Sequence, residues 1–404
     1  MLKDGGNYAI IVANKWLRAN YGEPLRKWLK TQTLLEIVDF GDLPVFGKVT
    51  AYPMIFRVAK CQTDGGQNVS LAVSQVESLD FKSLDEHLEG KRRCIAASAL
   101  DDAGWQLRDE REKRLFDKLM ATGVSLEEYV EGKIFRGVVT GLNEAFVIDA
   151  ATRKRLIKED KRSAKIIKPL LEGRDIKRYA PLKTDKYIIF TRRGININDY
   201  PAIKSHLEQF RKQLTPKPKG WGSKGSKPWK GRKPGSYKWY EIQDITSYFR
   251  EFEKPKIILP NLATRIQCSF DDCDYYSLAP STTISLNDKY LLAILNSRVC
   301  NYFLHQIAAT RRGGYIECKP VYLLRLPIYK IDERNKKDVA KRDKIIALAD
   351  QMLVAQAKCY AAMSDSDRKL AEQRIAILDQ QIDSLVYELY GLTEEEIGIV
   401  EGNL

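Results

Sequence analysis

Between Thr215 and Tyr240 the chain carries five Gly and four Pro and not one Asp or Glu. Proline lacks a backbone donor and fixes φ, and glycine loses the most conformational freedom on folding, so this stretch can be neither helix nor central strand. It must be a surface excursion held by rigid elements on either side. The same stretch holds eight Lys or Arg and three of the six Trp. Lys217, Lys219, Lys224, Lys227, Lys230, Arg232, Lys233 and Lys238 supply more than half of the formal +14, and Trp221, Trp229, Tyr237, Trp239 and Tyr240 add flat faces. Cations neutralise phosphates and aromatic faces take bases or sugars, so the composition points to a nucleic-acid contact loop. The competing reading is a solvated basic loop with no ligand.

A net charge of +14 over 404 residues favours an anionic partner, and 44% hydrophobic residues are enough for two or three domains with buried cores. No apolar run approaches the length of about 20 residues that spans a bilayer, and Met1 to Gly6 is polar, so the chain reads as cytoplasmic, without a membrane partner. Seven scattered Cys without a Cys-x-x-Cys pair suit reduced thiols. Cys268 and Cys273, with no His nearby, read as strand or turn residues rather than zinc ligands. The three His are too far apart in sequence to suggest a catalytic group, and His206 reads as a packed helix residue.

Short apolar runs at Tyr8–Val12, Leu34–Phe40 and Tyr52–Val58 read as strands, with a helix over Pro24–Leu29. Their near-continuous hydrophobicity suggests burial on both sheet faces. A doubly wound domain normally has about five strands or more, so the start of the chain resembles the second half of such a domain. Residues 81–133 read as a helical connector, with Leu115, Phe116 and Leu119 on one face of Arg108–Met120. β-type residues return over Ile134–Ile148, and strands are expected at Tyr187–Phe190, Lys256–Leu259 and Tyr275–Leu278. Asp199 is placed to cap a helix bearing Ile203, Leu207, Phe210 and Leu214, from which the basic loop departs. Asn287 or Asp288 is placed to cap a helix from Tyr290 to about Gln306. Beyond Pro327 only helix is expected. Ala371, Ile375, Leu378, Ile382, Leu385, Leu389 and Leu392 repeat at spacings of four and three, a coiled-coil seam for which Asp343–Tyr360 is the antiparallel partner across Ser364–Asp367. Gly391 ends that helix, and Thr393 with Glu396 has capping-box spacing for a last short one.

The chemistry of catalysis is hard to find. An S-adenosylmethionine site needs a Gly-rich turn after a strand, and a base-flipping methyltransferase needs an Asn-Pro-Pro-Tyr-like element; the chain has neither, and Gly5-Gly6 and Gly65-Gly66 read as turns. Asp39 ends a strand where α/β enzymes place functional groups, and serves equally as a loop cap. Asp149, Glu159 and Lys161 fit a metal nuclease loosely, while Thr152–Lys165 reads more simply as a solvated basic helix. Further DNA-contact candidates are Arg192-Arg193-Gly194 after a strand and Arg311-Arg312-Gly313-Gly314 after a helix, turn settings from which Arg reaches a phosphate or a guanine edge.

Particular strings then narrow the field. Thr140-Gly-Leu-Asn-Glu-Ala-Phe-Val-Ile-Asp149, Ile167-Lys-Pro-Leu-Leu-Glu-Gly-Arg-Asp-Ile176, Trp239-Tyr-Glu-Ile-Gln-Asp244, Phe252-Glu-Lys-Pro-Lys-Ile257, Leu291-Leu-Ala-Ile-Leu-Asn-Ser297 and Leu326-Pro-Ile328 resemble, in that order, the TaqI-like target recognition domain of type IIG restriction-modification enzymes and PglX-like methyltransferases. Tyr8–Leu17, Leu25-Arg26, Ile37-Val-Asp-Phe-Gly41 and Val45-Phe46 resemble the segment that follows the catalytic motif in these enzymes. Ile382–Glu396 is similar to helical spacers of type I specificity subunits.

The resemblance implies an α+β multidomain chain. Residues 1–80 would be the carboxy-terminal part of a Rossmann-like methyltransferase sheet, 81–133 a helical connector, 134–330 a mixed α/β recognition domain, and 331–404 a coiled-coil-like antiparallel hairpin. It further implies sequence-specific recognition of double-stranded DNA for an adenine-specific methyltransferase. S-adenosylmethionine would be bound by an amino-terminal part, in cis or as a separate subunit, and this chain alone would be inactive. An apolar edge near Tyr8–Val12 and Leu34–Phe40 would seek that part or a second copy. Metal-dependent nuclease and non-specific nucleic-acid binding are the alternatives.

Overall fold

The computed structural model describes residues 2–402 except 18, 42, 48–51, 61–69, 77, 101, 103, 106, 108–109, 222–227, 245–246, 273–274 and 312. Two compact units emerge: residues 1–121 with 309–315 and 394–404, and residues 122–308 with 316–393. Helices and several small sheets occur in both, a mixed α+β architecture.

The first unit is built on β1 (Asn7–Ala13), β2 (Thr33–Asp39), β3 (Pro53–Ala59), β4 (Ser70–Gln75) and β5 (Arg93–Ala96), in spatial order β1-β3-β2-β4-β5. Only β2 and β4 run parallel; the other neighbours are antiparallel. The three expected strands and the helix α1 (Glu23–Leu29) are present, and β4 and β5 are additions. The sheet thus continues past residue 80 into the expected connector, which also holds helices Leu84–Leu88 and Glu110–Thr122. Trp16 packs edge-on against Phe56 and Trp105, at ring distances of 5.7 and 5.6 Å, above Leu34, Ile37, Met54 and Leu71. Arg26 is buried beside this core, its guanidinium bonded to the carbonyls of Trp16, Ala19 and Asp102. Asp39 accepts from Asn14 Nδ2 and Gly41 N, the loop-capping use of that carboxylate.

Burial on both faces, expected from the apolar runs, does not hold for β1. It is an edge strand with Tyr8, Ile10 and Ile11 exposed at 46%, 38% and 41%. Its inner face forms an open apolar groove of about 670 Å³ with Leu25, Trp28 and Phe56.

The second unit holds two four-stranded sheets. One runs Tyr276–Ser277, Ile167–Leu171, Lys186–Ile189, Val147–Asp149; the other runs Ser269–Asp271, Lys256–Pro260, Ser281–Ile284, Ile134–Arg136. The sequence strings act as joints. Asn296, last residue of the buried helix Lys289–Asn296, bonds both the N–H and the carbonyl of Cys268. Pro327-Ile328 pairs with Val124-Ser125. Lys256 is buried with Asp271 at 2.5 Å, a pair whose separation would leave a stranded charge.

Two expected helices break. Tyr200, not Asp199, precedes Pro201–Glu208, because Asp199 closes its own turn by accepting from Asn196 Nδ2. Asp288 caps Lys289–Asn296, and Ser297 then caps a second helix, Arg298–Ile307, by accepting from Cys300 N. The hairpin consists of helices Lys336–Ala361 and Asp365–Tyr390, the second ended by Gly391 at φ 60°. Burial of Ile345, Met352, Leu378, Ile382 and Leu389 fixes its seam near the base, while Met363 and Leu370 at the tip are exposed. A short helix, Glu394–Glu401, follows.

Candidate nucleic-acid interface

The basic segment is tethered at both ends. Leu214 closes the short helix Arg211–Leu214, and Pro216 then bridges Arg232, with Lys217 N donating to Arg232 O and Arg232 N to Thr215 O. Trp229 Nε1 donates to Thr215 O at 3.3 Å, and Trp221 lies edge-on to Trp229 at 5.0 Å. The excursion between these ties shows Lys219, Trp221 and Lys230 to solvent, with Lys217 and Trp229 half-buried. Lys233 and Lys238 are exposed on the return, and Lys238 lies over the Tyr240 ring. Trp239 is half-buried, edge-on to Tyr240 and covered by Arg211 at 4.8 Å. Lys224 and Lys227 lie outside the described residues. Among the described residues, Lys217, Lys219, Lys230 and Lys233 have no ion-pair partner.

Two expected contact residues are placed elsewhere. Arg232 is 4% exposed. Its Nε donates to Leu214 O, Nη1 to Thr140 O and Glu241 O, and Nη2 to Lys238 O and Trp239 O. Those bonds use all five donors of the guanidinium, leaving none for a phosphate. The rings of Tyr237 and Phe146 lie 4.4 and 5.6 Å from it. Burial pushes the Arg232 guanidinium down to about 10, so it is still charged near neutrality. Tyr237 is buried too, its hydroxyl donating to Lys233 O. A basic or aromatic residue in a Gly/Pro-rich segment reads as solvated; here converging carbonyls draw both inward.

Arg192 is exposed, with its guanidinium over Phe249. Arg193 is half-buried and committed to Ser236 Oγ at 3.1 Å and Gln243 O at 2.9 Å, over the Tyr237 ring. Sequence reasoning missed Glu241. Its carboxylate is 3% exposed and accepts from Gly194 N at 2.9 Å and Lys238 N at 2.8 Å. The string Trp239–Asp244 contained it, but nothing in a string announces a buried acid. Arg311 belongs to the first unit, exposed in Thr310-Arg311, and Arg312 lies outside the described residues.

The nuclease grouping is dispersed. Asp149 caps Ala150–Glu159 by accepting from Thr152 N, a bond that holds its carboxyl below the usual range. Glu159 sits at the other end, about 15 Å away along the helix, and pairs with Arg155 at 2.8 Å. His206 is buried against Ala145 O and Phe210, and burial lowers its pKa.

Two family models match parts of the chain. Residues 168–328 match the TaqI-like C-terminal specificity domain, and residues 1–46 match the Eco57I restriction-modification methylase. The chain thus carries a specificity domain of the kind found in type II restriction-modification methyltransferases. Over its whole length it is 22% identical to Type II methyltransferase M.BstVI of Geobacillus stearothermophilus and 24% identical to M.PaeR7I of Pseudomonas aeruginosa, spanning 67% and 64% of their lengths. In fold it is similar, with a TM-score of 0.60 at 13% identity, to the Type IIL restriction-modification enzyme MmeI solved in complex with DNA, covering 98% of this chain and 48% of that one.

Proposed function

We propose that this chain is the sequence-recognition portion of an adenine-specific restriction-modification methyltransferase. The observation that carries this reading is a set of lysines, Lys217, Lys219, Lys230 and Lys233, with no ion-pair partner among the described residues, on a loop anchored to a TaqI-like specificity domain. Phosphate contacts from these lysines set the register of the duplex, and the exposed Arg192 and Arg311 are candidates for contacts to base edges or further phosphates. Lys224, Lys227 and Arg312 join the same role by sequence. Replacing Lys217, Lys219, Lys230 and Lys233 together by Gln lowers the salt dependence of duplex binding by a slope of about 3 or 4. An unchanged slope returns the segment to a solvated loop.

Methyl transfer belongs, in this reading, to a methyltransferase part that flips the adenine and supplies S-adenosylmethionine, in cis or as a separate subunit. The groove beside β1 does not fit that cofactor. Apart from aromatic tips its polar side chains among the described residues are Gln32 and Lys60, with no carboxylate among them to take ribose hydroxyls. The apolar edge of β1 instead suits further sheet and helix of a methyltransferase domain, or a second copy of the chain. The hairpin acts as a coiled-coil-like spacer that sets distance between modules.

Metal-dependent cleavage is disfavoured by the separation of Asp149 from Glu159, and Glu159→Gln leaves duplex binding unchanged in the reading preferred here. Non-specific binding is separated from sequence reading by competition against random duplex at fixed salt.

A further inference from the structure

We propose that Arg232 and Glu241 form a positioning hub that locks the Arg192–Gly194 turn to the base of the basic loop, so that both cationic segments meet the duplex as one preset surface. The proposal rests on the DNA-recognition reading. Arg232 gathers carbonyls from three places: Thr140, Leu214 before the loop, and Lys238, Trp239 and Glu241 after it. Glu241 has no cationic side chain in ion-pair contact among the described residues, and spends its two oxygens on backbone N–H groups, one from the turn and one from the loop's return. Arg193 adds a second tie between the same two segments through Ser236 and Gln243.

A buried charge satisfied only by backbone groups has a geometric job, because moving any one strand leaves an unpaired polar atom in a dry site. The links therefore hold the turn and the loop's return at fixed spacing. Ordering that is complete before binding need not be supplied by the duplex, and its loss appears as weaker, less discriminating binding. Lysine cannot replace Arg232, since it offers three donors to a site that uses five.

Glu241→Gln is the near-isosteric test. One oxygen becomes an NH2 facing a backbone N–H, so one of the two links is lost. Amide exchange at Gly194 and Lys238 should speed up by about tenfold or more. Binding to the tightest sequence recovered from a random duplex pool should weaken about tenfold, while binding to mixed-sequence duplex changes far less and the salt slope stays within about 1 of wild type. Arg232→Gln, judged folded by circular dichroism, should do the same without lowering the slope. Equal discrimination in wild type and Glu241→Gln despite faster exchange overturns the hub, as does a slope that falls by about 1 in Arg232→Gln, the mark of a direct phosphate contact. A wild-type chain that binds no duplex sinks the DNA reading itself, which is a separate and visible failure.

Discussion

Gly141 shows how closely the two most distinctive strings meet. Its φ is +81°, and a Cβ there would lie 2.7 Å from Gln243 Oε1 and 2.8 Å from Arg232 Cδ. Gln243 N and Asp244 N donate to Thr140 O and Val139 O, so Thr140–Asp149 and Trp239–Asp244 are two sides of one joint. Gly141→Ala should cost about 2 kcal/mol from the left-handed backbone and the clash together. That amounts to a thermal midpoint lower by about 4–8 °C in a domain of this size. A midpoint within a degree or so of wild type would mean that the joint relaxes freely. At this scale the sequence revealed which residues are chemically capable, not where they point. Lys219 and Lys230 are exposed as their composition suggests, whereas Arg232 and Tyr237, alike in composition, are buried by contacts from segments far away in the chain.

Elements with strong periodicity or caps were legible in advance: β2, β3, α1, and the hairpin with its Gly391 stop. The strands β4 and β5 were not, being short and mixed in composition, and held by their neighbours rather than by propensity. Asp199 and Ser297 mark another limit, since a residue able to cap also closes local turns or restarts a helix.

The hairpin's attachment carries a testable charge. Asp383, 5% exposed, accepts from Arg298 N at 3.0 Å and pairs with Arg298 Nε at 3.3 Å, near the Arg178–Asp379 pair. Burial outweighs these partners and pushes its carboxyl from 3.8 to about 6. The folded state therefore holds the extra proton, and the contribution is fully present below about pH 4 and lost as pH rises through about 6. Asp383→Asn should gain stability relative to wild type between about pH 4 and pH 7, by up to about 3 kcal/mol. A difference that stays constant over that range contradicts it.

On the scale of the whole molecule, the exposed apolar strand β1 is the feature most in need of a covering surface. Edge strands of soluble proteins are usually blunted by charge, proline or a bulge, and Tyr8, Ile10 and Ile11 offer none of these. The isolated chain should associate as concentration rises, and Ile10→Lys with Ile11→Lys should weaken that association by about tenfold or more. A strictly monomeric wild type in sedimentation would contradict this. Among the described residues no helix is long and apolar enough to cross a membrane.

Sequence-specific recognition of duplex DNA is the claim on which the rest depends. Selection from a random duplex pool, followed by competition of the recovered sequence against mixed-sequence duplex at fixed salt, measures it directly. The recovered site should bind about a thousandfold tighter or more; a ratio near one would reduce the loop to a general polyanion contact and contradict the account.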